Sequence, residues 1–288
     1  MDKLQWDLMQ LCKRNRDGSE STQAARRRLL DLAARELKDM GYQDMRSQSI
    51  KPKHVDALVA HWLGKGLSAS TVKNRLAGLR WWAEKVGKPS VVPKDNERMG
   101  VPDRVYSTPA GKQLSLDADK LVSVQDERVK LSLLLQDQFG LRREESIKFQ
   151  PGYAIRGDEM HLKPSWTKGG RGRVIPIRTA DQRWVLGKVA EMAGKGSLIP
   201  PERTYVQQLK IYEAELHKAG ISGAHGLRHS YAQRRYEELT GWKAPHAGGP
   251  KSKELSPEQK AADREARLTV SVELGHGREE ITVVYLGR

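Results

Sequence analysis

Arg142 and Arg228 come first, because a guanidinium fork can grip two oxygens of a phosphate at once. Arg142 stands in Gly140-Leu-Arg-Arg-Glu-Glu-Ser146, where a tight turn leads into a helix, and Arg228 stands in His225-Gly-Leu-Arg-His-Ser230. The spacing of His225 and Arg228 puts both on one helical face. Between the two arginines, Thr167-Lys168-Gly169-Gly170 sets a lysine at the tip of a Gly-rich hairpin. Leu274-Gly-His276 follows, and Tyr285 stands nine residues beyond that histidine. Cations, histidines and a phenol are together a set that can act on a phosphodiester. A phenolic oxygen can attack the phosphorus of a phosphodiester and stay attached, conserving the bond energy for the reverse step. Negative charge gathers on the non-bridging oxygens, which is what arginines stabilise, and the departing oxygen needs a proton. The chain offers no metal-ligand cluster, so no metal and no cofactor are expected.

Every one of these residues also has an ordinary reading. Arg142 could simply pair with Glu145 or Glu144, and Arg143 competes with it for the same role. A lysine in a Gly-rich loop is commonly just solvated. His229 fills space behind Arg228, and His276 before Gly277 suits a helix C-terminus, where the dipole favours it. The run Ile281-Thr-Val-Val-Tyr-Leu286 is β-branched and reads by propensity as a buried strand. Singly, each motif arises by chance in many proteins. Their order and fixed internal spacings are what carry weight.

The composition fits a phosphate-rich partner. Lys plus Arg number 51 against 36 Asp plus Glu, a formal charge of +15. A field of that sign attracts phosphate polymers. Cys12 is the only cysteine, which excludes an internal disulfide and a cysteine-based zinc cluster. The longest apolar runs, at 131–135 and 281–286, are far too short to span a membrane. Met1–Gln10 has no basic region leading into an apolar stretch, so a cytoplasmic location is expected.

The elements that must position these residues follow from periodicity and punctuation. Helices are expected at Ser21–Met40, Lys51–Leu63 and, capped by Ser68-Ala-Ser70, Thr71–Val86. The last turns Leu76, Leu79, Trp82 and Val86 inward. Its opposite face carries Lys73, Arg75, Arg80 and Lys85, either a solvated surface or a DNA-contacting one. Prolines and glycines from Gly87 to Leu114 mark a linker. Beyond it, Asp117–Gln138 reads as one helix, and Ala154–Ile177 as strands with a turn at Gly157-Asp158. Ala180–Gly194, Tyr205–Ala219 and a segment from Gly226 read as helices. Residues 240–262 look like a polar surface insertion, in which Ser256-Pro-Glu-Gln259 restarts a helix.

In residues 115–288 the sequence resembles the tyrosine recombinases, the phage integrase and Xer-like family. That family's pattern is an arginine in a G-L-R-x-x-E turn, a hairpin lysine, H-x-x-R-H, L-G-H and a tyrosine nine residues later. The first hundred residues resemble its helical core-binding domain, most clearly at 70–87. The resemblance implies an α+β fold, mostly α. An all-α DNA-binding domain (1–95) and a linker (96–114) would precede a mixed α/β catalytic domain (115–288) with a small hairpin or sheet. Its implied activity is site-specific DNA recombination through a 3′-phosphotyrosine, integrating or excising a mobile element. Tyr285 would be the nucleophile, with Arg142 and Arg228 on the phosphate and Lys168 the general acid. His225 would take the tyrosine proton, His276 would hydrogen-bond the phosphate, and Glu145 would orient the arginines. Arg143, Arg171 and Arg173 would join the basic face at 73–85 in contacting DNA. The partners implied are double-stranded DNA carrying inverted repeats and further copies of the chain, two per site and four at synapsis. Three residues follow Tyr285, where many relatives extend into a tail packed on the next protomer. A type IB topoisomerase and a non-catalytic regulator on the same scaffold stay open as alternatives.

With a charge of +15, affinity for duplex DNA is expected to fall by orders of magnitude over a modest rise in salt. Fluorescence anisotropy at several ionic strengths measures the slope, and a shallow one contradicts extensive phosphate contact.

Overall fold

Capping side chains set most of the helix boundaries. The computed structural model describes residues 2–104 and 111–288, and it divides into two units, Met1–Val105 and Tyr106–Arg288. The expected linker at 96–114 therefore falls partly outside the described residues.

The first unit holds α1 (Lys3–Arg14), α2 (Glu20–Asp39), α3 (Pro52–Gly64) and α4 (Ala69–Lys85). Ser19 and Ser68 cap α2 and α4 by accepting the N–H of Thr22 and Thr71, and Pro52 opens α3 where its missing N–H costs nothing. The sequence reading did not single out α1. Its signals were nonetheless present: Asp2 and Gln5 form a capping box, and Leu4, Leu8 and Leu11 form a buried stripe. The core joins Leu30, Leu37, Val55, Trp62, Leu76, Leu79 and Trp82. Within it the buried Glu36 accepts the Trp62 indole N–H at 2.7 Å.

The second unit begins with α5 (Ala118–Ser123), α6 (Glu127–Phe139), α7 (Arg143–Ile147) and α8 (Pro151–Ala154). The single helix expected over Asp117–Gln138 is broken at Val124–Asp126. There the Asp126 carboxylate caps α6 by accepting the N–H of Arg128 and Val129 (2.9 and 3.1 Å), while Glu215 accepts the N–H of Gln125 and Asp126. A cap that satisfies two orphan donors outcompetes helix propagation through the same residues.

A three-stranded antiparallel sheet follows, in the order β1 (Ile155–Arg156), β2 (Glu159–Leu162) and β3 (Arg173–Pro176). The register pairs Met160 with Ile155 on one side and Ile175 on the other, and Leu162 with Arg173. Met160, Leu162 and Ile175 face the core with Phe139, Phe149 and Val185. Then come α9 (Ala180–Ala193), α10 (Tyr205–Lys218), α11 (Gly226–Thr240), α12 (Pro257–Glu273) and, after a 3-10 turn at Glu279–Thr282, α13 (Val283–Leu286). Helix α6 packs against α7, α9 and α11, and α11 against α12 and α13. Tyr285 thus lies in a helix, against its strand propensity. No helix among the described residues is long and apolar enough to cross a membrane.

The segment 240–262 is not the purely superficial insertion expected. Ala244 and Leu255 are buried, and a 3-10 turn at Pro245–Ala247 packs on α13. The capping box at Ser256 restarts α12 as the sequence indicates.

One backbone position sets the approach to the site. Gly140 ends α6 in the left-handed region (φ 60°), and a Cβ there would lie 2.5 Å from the Tyr231 ring and 2.9 Å from Leu274. Gly140→Ala is expected to lose about 1–3 kcal/mol from backbone strain alone and more from overpacking. Urea unfolding measures it, and an unchanged midpoint would contradict the packing.

Candidate active site

The turn after Gly140 delivers Arg142 to the N-cap of α7. Glu145, fully buried one turn on, accepts the Arg142 backbone N–H at 2.7 Å and its Nη1 at 2.8 Å. Arg173 of β3 meets the same carboxylate in two-point fashion, Nη1 to Oε1 at 2.9 Å and Nη2 to Oε2 at 2.7 Å. Burial by itself would raise the Glu145 pKa. The hydrogen bonds and charge of Arg173, then those of Arg142, outweigh it and hold the carboxyl at about 2. Arg173 also donates its Nε–H to the backbone oxygen of Glu273 at 2.7 Å, which joins the sheet to the end of α12.

Helix α11 supplies the next cation. Arg228 is 1% exposed, and among the described residues no carboxylate touches it. Its Nη1 and Nη2 donate instead to the carbonyl oxygens of Gly140 and Leu274. Burial pushes its pKa down to about 10, so it stays cationic at neutral pH. Its Nε–H points at the Tyr285 hydroxyl at 3.3 Å.

Tyr285 is itself only 5% exposed, with its ring 4.7 Å from that of His229. His276 closes the cluster: its Nε2 lies 3.1 Å from the Tyr285 hydroxyl and 3.4 Å from Arg228 Nη2. Burial, then the charges of Arg228, Arg142 and Arg173, push the His276 pKa down to about 4. The neutral ring facing an arginine N–H with Nε2 makes that atom an acceptor, so the Tyr285 O–H donates to it. His225, at the N-cap of α11, keeps an exposed edge and makes no hydrogen bond to Tyr285, their ring centroids being 6.4 Å apart. Partial desolvation, then the charges of Arg228, Arg142 and Lys112, lower its pKa.

The structure therefore brings together Arg142, Arg228, His225, His276, Tyr285 and Glu145. It does not bring in Lys168. That lysine is exposed in the connection from β2 to β3, where Gly169 and Gly170 have φ of 85° and 66°, and it forms no hydrogen bond or ion pair to a described residue. Arg171 is exposed beside it, and Arg143 is half-exposed and paired with Glu213 at 3.0 Å.

Other basic residues depart from expectation. Arg173, expected to contact DNA, is buried with its guanidinium committed to Glu145 and Glu273. The basic face of α4 is likewise engaged within its own unit. Lys73 pairs with Asp103 at 2.9 Å, and Lys85 with Asp17 at 3.0 Å. Arg75 lies over the Trp62 ring at 5.0 Å, near Glu36. Arg80 donates to the oxygens of Pro93, Lys94 and Asn96. Helical spacing put these four on a polar face, but it carried no trace of the loops and helices that supply their partners. Sequence reading also missed Gln233, whose Nε2 donates to the Tyr285 backbone oxygen at 3.0 Å, and no local signal marks it.

Comparison with known proteins bears on this arrangement. The family model described as phage integrase, N-terminal, matches residues 1–92, and the one described as integrase matches residues 108–234. No curated protein matches the chain by sequence. Three solved structures share the fold at low identity. Lambda integrase, a tetramer bound to a Holliday junction, is 15% identical over 94% of this chain and 76% of its own, with a TM-score of 0.59. The Tn1549 transposon integrase in complex with circular intermediate DNA is 12% identical over 100% of this chain and 96% of its own (TM-score 0.59). The XerH site-specific recombinase bound to its difH substrate is 17% identical over 98% of this chain and 80% of its own (TM-score 0.56). The chain belongs to the tyrosine recombinase (phage integrase) family.

The neutral His276 carries a pH signature. Its folded pKa of about 4 lies below the ordinary 6.5, so only the unfolded chain takes up this proton between those values. The stabilising contribution is whole above about pH 6.5 and is lost as pH falls toward 4. Imidazole NMR of the free protein is expected to show His276 unchanged from pH 8 to 5, and a midpoint near 6.5 would contradict the burial described.

Proposed function

We propose that this protein is a site-specific DNA recombinase that cuts and rejoins strands through a 3′-phosphotyrosine intermediate, acting on the DNA of a mobile element. The observation that carries the reading is the Tyr285 hydroxyl, held between a donor, Arg228 Nε, and an acceptor, His276 Nε2. Buried cations without a full complement of carboxylates leave room for one further anion, and a phosphodiester supplies it.

On this reading Arg228 and Arg142 grip the non-bridging oxygens of the scissile phosphate. The Tyr285 oxygen attacks phosphorus and its proton passes to His276 Nε2. The reading from sequence had given that proton to His225. The hydrogen bond to His276 is what favours the change, and it leaves His225 for the phosphate. The bond from phosphorus to the 5′ oxygen breaks, and Lys168, carried in on the flexible β2–β3 connection, protonates the leaving oxygen. Attack by a 5′-hydroxyl of another strand runs the steps backward and releases Tyr285. The DNA complexes of lambda integrase, the Tn1549 integrase and XerH support duplex DNA as the partner, and the lambda tetramer supports further copies of the chain. Two copies per inverted-repeat site and four at strand exchange complete the reading.

A pool of nicked duplexes with randomised cores tests this. Adducts that survive a denaturing gel are expected from wild type and not from Tyr285→Phe, whose DNA affinity stays nearly unchanged. On a substrate recovered from the pool, Lys168→Ala is expected to cleave about a hundred- to ten-thousand-fold more slowly. Sulfur in place of the bridging 5′ oxygen should restore most of that rate for Lys168→Ala and little for Arg142→Ala. Undiminished adduct from Tyr285→Phe would sink the nucleophile assignment. Rescue of Arg142→Ala alone would reverse the two roles.

A further inference from the structure

Helix α13 has four residues, too few to hold its own shape, so whatever grips its two ends decides where the Tyr285 hydroxyl sits. One guanidinium reaches both ends. Arg267 of α12, 1% exposed, donates its Nη1 to the Gly287 backbone oxygen at 3.0 Å and lies 3.5 Å from Thr282 Oγ1. Thr282 precedes the helix and Gly287 follows it. The orientation of that guanidinium is fixed in turn. Its Nε–H donates to Asp263 Oδ1, one turn earlier, at 2.8 Å, and the same oxygen accepts the Tyr236 hydroxyl at 2.5 Å.

The segment inserted before α12 closes over this assembly from outside. Its 3-10 turn lays His246 against Gly287 so tightly that a Cβ there would come within 2.6 Å of the imidazole. Gly287 also has φ 76°, which L side chains rarely adopt. Arg267 meets the chain at Thr282 Oγ1 before Tyr285 and at the Gly287 oxygen after it, His246 lies against Gly287, and neither is hydrogen-bonded to the Tyr285 hydroxyl.

We propose that Arg267, locked by Asp263 and closed over by His246, is a positioning residue that holds the Tyr285 hydroxyl between Arg228 and His276. This rests on the reading of Tyr285 as nucleophile. The inserted segment is then the outer jaw of a clamp on the attacking group, with the buried ion pair as the inner jaw. The clamp fixes the orientation of the phenol and leaves DNA affinity to other surfaces.

Full-length Arg267→Lys and Gly287→Ala test the proposal. Each is prepared with and without 3-fluorotyrosine at position 285. The lysine keeps a cation opposite Asp263 but lacks the fork that also reaches Gly287, and the alanine displaces the outer jaw. Single-turnover adduct formation on the recovered nicked duplex is expected to slow about ten- to a hundredfold in each, the scale of a misplaced reacting group. DNA affinity should stay within about twofold. The fluorine spectrum, a single shielded resonance in the parent, should gain a second at the shift of solvent-exposed tyrosine. Wild-type cleavage with one unshifted resonance overturns the proposal, and so does slower cleavage without any fluorine change. If Arg267→Lys does not fold, the same two readouts on Gly287→Ala decide. Adduct formation by Tyr285→Phe would instead overturn the nucleophile reading, and that result is visible before any clamp variant is made.

Discussion

The two-point pair between Arg173 and Glu145 is the interaction that the rest of the site depends on. Its guanidinium belongs to β3, its carboxylate to α7, and the remaining N–H of Arg173 goes to the end of α12. Three elements distant in sequence are therefore fixed by one buried cation. Removing Glu145 would strand the Arg173 charge in a medium that solvates it poorly, a cost of about 3–5 kcal/mol in comparable buried pairs. Glu145 also takes the backbone N–H and side chain of Arg142, so the same carboxylate sets the first arginine of the site. The carbonyls of Gly140 and Leu274, which flank this junction, are the ones that receive Arg228.

Charge balance gives the site its character. Arg142 and Arg173 share one carboxylate, and Arg228 is held by carbonyl dipoles and a phenol. Dipoles orient a guanidinium without neutralising it. The surplus positive charge is already desolvated and held in place by neutral groups. The same surplus keeps His276 neutral, with Nε2 able to accept the Tyr285 O–H as a hydrogen bond. One electrostatic condition thus disfavours a further proton in the site and favours an anion.

Much of this was legible in the sequence, and what was not has physical reasons. Arg142 with Glu145, His225 with Arg228 and His276 with Tyr285 could be read as pairs because each spacing is local: a cap, a helical turn, a short hop from α12 to α13. The contacts of Arg228 that join the pairs are long-range. Helix starts at Ser68 and Ser256 could be read because a cap lies within three residues of the groups it satisfies, while the start capped by Ser19 was placed late, at Ser21. The break in front of α6 could not, since Glu215, which holds it open, lies about ninety residues away. Arg173 looked like a surface residue of a basic strand because nothing nearby announces Glu145 as its partner. The α4 lysines and arginines likewise find partners in a loop or another helix that their own spacing does not announce. Local pattern specifies elements and motifs; long-range ion pairs decide which charges remain available.

The docking of Tyr285 has a consequence for how the site meets its substrate. The phenolic oxygen rests against Arg228 Nε, on the guanidinium that would also grip the phosphate on the proposed reading. Nucleophile and electrophile are thus rival ligands of one cation. An arriving phosphate has to share or take that seat, and its apparent affinity is lowered by whatever the resident phenol contributes. The exchange leaves the displaced oxygen beside the phosphorus it is to attack. Occupancy by the tyrosine makes the site a self-liganded one, and on the proposed reading its ligand must bring binding energy from contacts elsewhere.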